Sequence, residues 1–84
     1  MKDISVGDTV YMCIVVPNCD IYDVLGLTIR TAMYNWAVGV DNHNHQAFIF
    51  TENMVGEYVF KEHTLAQEAI LTFRSKYEVF DDAI

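Results

Sequence analysis

Leu27–Phe50, LTIRTAMYNWAVGVDNHNHQAFIF, is the stretch whose pattern decides the fold. β-Branched and aromatic residues recur in it at period two as far as the turn-rich Asn42-His43-Asn44-His45, the pattern of extended segments joined by tight polar connections. Trp36, Val38 and Val40 fall on one face of such a segment, and Ala37 and Gly39 on the other. The two small residues leave room for another layer or another chain. Asn42–His45 turns the chain, because asparagine tolerates positive φ, and Gln46–Phe50 returns as the partner strand.

Upstream, the turn Val6-Gly7-Asp8 leads into Thr9–Val16. Val10, Met12, Ile14 and Val16 share one face of that run and Tyr11, Cys13 and Val15 the other, so both faces are apolar and the strand is central or covered. Pro17-Asn18-Cys19-Asp20 stops it, since proline donates nothing to a ladder and Asn and Asp bond to their own backbone. A loop is expected to about Val24. A second strand then spans Val24–Met33, with Leu25, Leu27, Ile29, Thr31 and Met33 on one face and Gly26 marking a bulge or bend.

Downstream, Thr51–Met54 suits a single 3₁₀ turn and Val55–Phe60 resumes the strand pattern. The period then changes. Leu65, Ala66, Ala69, Ile70, Phe73 and Tyr77 recur every three or four residues, the stripe of an amphipathic helix, and Thr64 with Gln67 forms a capping-box pattern. The chain therefore reads as one domain, residues 1–84: a β portion over about 6–60, a helix over about 63–77 and a short acidic tail over 78–84. The fold class is α+β, mainly β: a small, partly open SH3-like barrel of about five antiparallel strands followed by one C-terminal α-helix. An antiparallel sheet with one face covered by the helix is the fallback.

Eighty-four residues bury only about 60–65% of the surface that the unfolded chain exposes. With 52% hydrophobic and 20% charged residues, some apolar surface is left over for an interface. A homodimer is the expected form, through a strand edge at Tyr34–Val40 or through the helix flank with Leu71 and the Val79-Phe80 tail. The longest apolar runs, Met12–Pro17 and Tyr58–Phe60, are far short of the ~20 residues that span a bilayer. The N-terminal Met1-Lys2-Asp3-Ile4 lacks the apolar stretch of a secretory signal, so the expected compartment is the cytoplasm and Cys13 and Cys19 are expected as reduced thiols.

Twelve acids against five bases give a net charge of −7, which opposes direct binding of nucleic acid. The acids are spread along the chain, either as a solvated surface or as a face that docks on a basic partner. Asp41, His43 and His45 would share a side if their segment is extended, and with His63 they could hold Zn²⁺ or Ni²⁺, making a small-ligand or metal-sensing module. A plain polar hairpin tip is the alternative. No nucleophile motif, phosphate-cradling glycine loop or Cys-x-x-Cys pair occurs, so neither an enzyme nor a cofactor is expected. Tyr11, Tyr22, Tyr34, Trp36 and Tyr58 either line a peptide groove, as in an SH3-like adaptor, or belong to the core and rim.

Val6-Gly7-Asp8-Thr9-Val10-Tyr11, Ile29, Phe48 and Phe50, Val55-Gly56, Val59-Phe60, and Ala66, Ala69 and Ile70 together resemble the pattern of short uncharacterised SH3-like β-barrel proteins of bacteria, prophages and phages. The resemblance covers roughly residues 6–70. That family commonly places Ser or Thr two residues after the aromatic to cap the helix. Here Glu62 stands at that position, which leaves the helix start between Glu62 and Thr64. The resemblance implies a small accessory protein, often from a mobile element, that binds rather than catalyses. Joined to the acidity and the apolar excess, that setting leads to an expectation of a phage-borne inhibitor in the host cell cytoplasm. Its target would be a host defence protein with a basic groove, such as a CRISPR nuclease, bound by nucleic-acid mimicry in the manner of an anti-CRISPR protein. Tyr34, Trp36, Glu52, Glu57, Asp81 and Asp82 are the expected protein-binding residues.

Overall fold

Two strands, β1 (Thr9–Val16) and β2 (Ile21–Ala32), make the long hairpin on which the other elements are built. The computed structural model describes the backbone of residues 1–82 and the side chains of residues 1–77. The hairpin pairs without a break from Val16 opposite Ile21 to Thr9 opposite Thr28. Its connection is one 3₁₀ turn, Pro17–Cys19, closed by Asp20 in the left-handed region (φ 54°), whose N–H donates to the Pro17 carbonyl at 3.1 Å. The expected loop out to Val24 is therefore strand from Ile21 onward. Tyr22 and Val24 earn their place in it by packing on the cluster around Cys13.

After β2 come β3 (Trp36–Asp41), β4 (Ala47–Thr51), a 3₁₀ turn at Glu52–Met54, β5 (Val59–Phe60) and α1 (His63–Asp82). The strands are antiparallel in the order β4-β3-β2-β1-β5, and the sheet curls into a half-barrel. β1, with two apolar faces, lies inside the sheet between β2 and β5, as its pattern requires. Its inner face joins Val10 and Met12 to Ile4, Leu27, Ile29, Ala37, Phe50 and Val59 in the main core. Phe50, Leu27, Ile29, Val10 and Val59 are wholly hidden there, each burial stabilising the fold by about 1.5–3 kcal/mol. On the outer face a second, smaller core forms where α1 lies across β1, β2 and β5, with Cys13, Ala66 and Ile70 at its centre.

The bend in β2 lies elsewhere than the glycine suggests. Gly26 pairs regularly with Tyr11, and the register shifts instead between Ile29 and Thr31, at Arg30. One inserted residue reverses the alternation, so Ile29 and Ala32 both turn inward although their numbers differ in parity. Thr31 leaves the face that Leu25, Leu27 and Ile29 share. Only the three-dimensional demand for Ala32 against the core reveals this.

β3 is not an edge. It runs between β2 and β4, and Ala37 and Gly39 face the core, so the expected close approach of a second chain there is replaced by packing within the molecule. β5 is shorter than the expected Val55–Phe60. Gly56, at φ 93°, and the N–H groups of Glu57 and Tyr58, both donating to the Met54 carbonyl, make a turn of its first half. α1 starts at His63, and no capping box closes it: Gln67 donates its side-chain amide to His63 Nε2 at 3.2 Å. The helix runs on through Asp82, so Glu78–Asp82 is helical backbone and not a tail; residues 83–84 lie outside the described residues.

Candidate protein-binding face

Among the described residues α1 packs chiefly on β1, β2 and β5, which leaves the outward wall of β3 and β4 beside it. Alternation and register place Trp36, Val38 and Val40 of β3 on this wall beside Ala47, Ile49 and Thr51 of β4, with Thr28 and Thr31 continuing it onto β2. Ile49 is 70% exposed and Trp36 37%, while Val38 between them is buried by its neighbours. Asp41 is the one charged residue in β3 and β4, and it points inward. β3 and β4 thus add no charge to the wall in a chain of net charge −7, and Arg30, exposed at the β2 bulge between Thr28 and Thr31, borders it.

At one end of the wall stands the link from β2 to β3. Met33 donates its N–H to the Trp36 carbonyl at 2.9 Å, and the chain terminus donates to the Met33 carbonyl, which fixes the turn. Tyr34 projects from it 91% exposed. Glu52 is held next to this turn by its own N–H, which donates to the Asn35 carbonyl at 3.0 Å, and the Thr51 hydroxyl donates to Asn53 Oδ1. Asn35, Thr51, Glu52 and Asn53 line an open hollow of about 440 Å³ there. Tyr34, Trp36 and Glu52 are therefore brought to one end of one face.

Glu57 is not part of that constellation. It sits on the turn before β5 and lines a separate groove of about 320 Å³ under α1, with Phe60, Leu65, Glu68 and Phe73. The side chains of Asp81 and Asp82 lie outside the described residues. Ile49, which lies in the middle of the wall, escaped the sequence reading; its alternation with Phe48 and Phe50 was the available signal, since two aromatics facing the core force it outward.

The hairpin tip serves the backbone. Asp41 is only 4% exposed, and its Oδ1 accepts the N–H of His43 at 2.7 Å and of Asn44 at 3.3 Å, while Asn44 Oδ1 accepts the Gln46 N–H at 2.9 Å. His45 takes the left-handed conformation (φ 62°) that closes the turn. His63 stands on α1 with its ring edge-on to Tyr11, 5.1 Å between centroids. Among the described residues no three His, Cys, Asp or Glu side chains come together as a metal would need.

The five surface aromatics divide between two regions. Tyr11 meets His63, Tyr58 stacks on Phe73 at 5.1 Å, and Tyr22 lies under the Arg74 guanidinium at 5.7 Å, so these three brace α1. Only Tyr34 and Trp36 remain together away from the helix. Cys13 is buried under α1 with its thiol donating to the Ala66 carbonyl at 3.5 Å, and burial raises its pKa; Cys19 is exposed on the β1–β2 turn. No helix among the described residues is long and apolar enough to cross a membrane. No family model, curated protein or solved structure matches the chain.

Proposed function

We propose that this protein is a small non-enzymatic protein-binding module that docks through the end of the uncovered β3–β4 wall, with Tyr34 and Trp36 as anchors and Glu52 at the rim. The observation that carries this reading is Tyr34, a large amphipathic side chain 91% exposed beside a half-open Trp36 on a face to which β3 and β4 add no charge. Aromatics of this kind dominate the energetics of protein interfaces, and a small folded chain gains nothing for its own stability by displaying them. The net charge of −7 steers encounter toward a basic partner without specifying its sequence. A nucleic-acid-handling enzyme offers such a surface, and a host defence nuclease is the form of it that the resemblance to phage-borne proteins implies. The test is capture from bacterial lysate on immobilised protein, repeated with Tyr34→Ala/Trp36→Ala and with added duplex DNA as competitor. A protein retained by the wild type, lost with the double variant and displaced by DNA supports the whole reading; retention by both chains alike removes the aromatic face from it.

A further inference from the structure

We infer that β4 is a self-pairing edge, and that two copies of the chain join there, antiparallel about Ile49, into one continuous ten-stranded sheet. Of the two edge strands in the order β4-β3-β2-β1-β5, β5 is two residues long and is followed at once by the turn into α1. Short edges of that kind protect themselves. β4 has five residues, a partner on one side only, and none of the usual guards: no proline, no lysine, no bulge against β3.

Its outward polar groups have a definite register. The Asp41 N–H donates to the Gln46 carbonyl and the Glu52 N–H to the Asn35 carbonyl, which makes Gly39–Phe48 and Ala37–Phe50 the hydrogen-bonded pairs of the β3–β4 ladder. Ala47, Ile49 and Thr51 therefore direct their N–H and C=O groups away from β3. These three residues are symmetric about Ile49. A two-fold axis through the middle of the strand sets Ile49 against its own copy and Ala47 against the copy's Thr51, so that every outward donor meets an acceptor.

Charge selects the second copy as the occupant. At net charge −7 two copies approach most easily through a contact free of acids, and Gln46–Thr51 carries no charge while Glu52 falls opposite the copy's Gln46. The same axis keeps the two outer walls on one side of the sheet. The Ile49 side chains then cover each other, the uncharged β3–β4 part of the wall becomes continuous across both copies, and the two Tyr34–Trp36 ends are presented together. This pairing does not depend on the protein-binding reading, since Ile49 and the strand edge are distinct from Tyr34 and Trp36.

The test measures molar mass by light scattering from micromolar to millimolar concentration, for the wild type and for Ile49→Lys. The wild type is expected at twice the 9.6 kDa chain mass, with a melting temperature that rises with protein concentration, and the variant at the single mass, folded, with a melting temperature independent of concentration. Cross-linking keeps the assignment open to refutation if the lysine variant misfolds. In a Cys19→Ser background, Ile49→Cys is expected to form a covalent dimer on mild oxidation, because hydrogen-bonded antiparallel partners lie about 5.5 Å apart at Cα, within disulfide reach. Ile21→Cys, exposed but off the edge of β4, is expected to form it far more slowly. A wild type that stays monomeric throughout, a dimer that Ile49→Lys leaves intact, or equal cross-linking at the two positions overturns the inference.

Discussion

Leu27 occupies the space that a side chain at Gly39 would need: a Cβ placed on Gly39 would lie 2.9 Å from both Cβ and Cδ1 of Leu27. Gly39 is there because β3 must approach β2 over a fully buried leucine, and space, not backbone freedom, is the reason. Gly39→Ala is expected to destabilise the fold by about 1–3 kcal/mol through overpacking. Gly26 makes a contrast, with its nearest neighbours at 3.6 Å or more, and Gly26→Ala should cost under about 1 kcal/mol. Thermal melts of the two variants check the difference, at about 4–8 °C per kcal/mol for a domain of this size.

Asp41 ties the tip of the β3–β4 hairpin by accepting two backbone N–H groups from a buried position. Asp41→Ala should cost about 1–3 kcal/mol by stranding them, and Asp41→Asn, which keeps the accepting oxygen, distinctly less. With that carboxylate engaged, Zn²⁺ and Ni²⁺ are expected to leave the melting temperature flat. A metal-sensing tip would instead gain about 2.7 kcal/mol at a hundred times Kd and lose it in His43→Ala/His45→Ala.

The two thiols should differ sharply. Cys19 is exposed and Cys13 lies under α1 with its pKa raised by desolvation above the ordinary 9.0. A thiol reagent is expected to titrate one cysteine at once and the second only on unfolding. Because the folded-state pKa of Cys13 is the higher one, its contribution to stability is complete below pH 9.0 and is lost as pH rises through the folded value. Cys13→Ala should therefore flatten the alkaline fall in stability, measured by denaturant melts across that range.

Much of this architecture is legible in the sequence because it rests on local patterns. Period-two alternation points to β1 and β3, the switch to three- and four-residue spacing to α1, and the short polar Thr51–Met54 to the 3₁₀ turn that forms at Glu52–Met54. What stayed hidden depends on the third dimension. Arg30 bulges so that Ala32 can face inward, a demand set by Ala37 across the sheet and not by Arg30 itself. β4 is an edge and β3 is not, because strand order is decided by the hairpin connections and by where β5 returns to β1. The same holds for the site. Tyr34 and Trp36 were visible as aromatics, but their separation from Tyr11, Tyr22 and Tyr58 follows from which strands α1 covers.

Exposure separates display from support on the candidate face. Tyr34→Ala should shift stability by no more than about 0.5 kcal/mol, whereas Phe50→Ala, on the next strand but facing the core, should lose about 3–5 kcal/mol. Chemical denaturation of both variants measures this directly. A Tyr34→Ala loss comparable to that of Phe50→Ala would make Tyr34 a structural residue.

Affinity for a captured partner tests the central claim, that the Tyr34–Trp36 end of the β3–β4 wall is a protein-docking surface. Once a retained protein is isolated, its Kd for wild type, for Tyr34→Ala and for Trp36→Ala should be measured by calorimetry at low and at physiological salt. An anchor residue is expected to cost 2 kcal/mol or more, about 30-fold in Kd, with a weaker dependence on salt reflecting the distributed charge. Equal affinity for all three chains would contradict the assignment of this face.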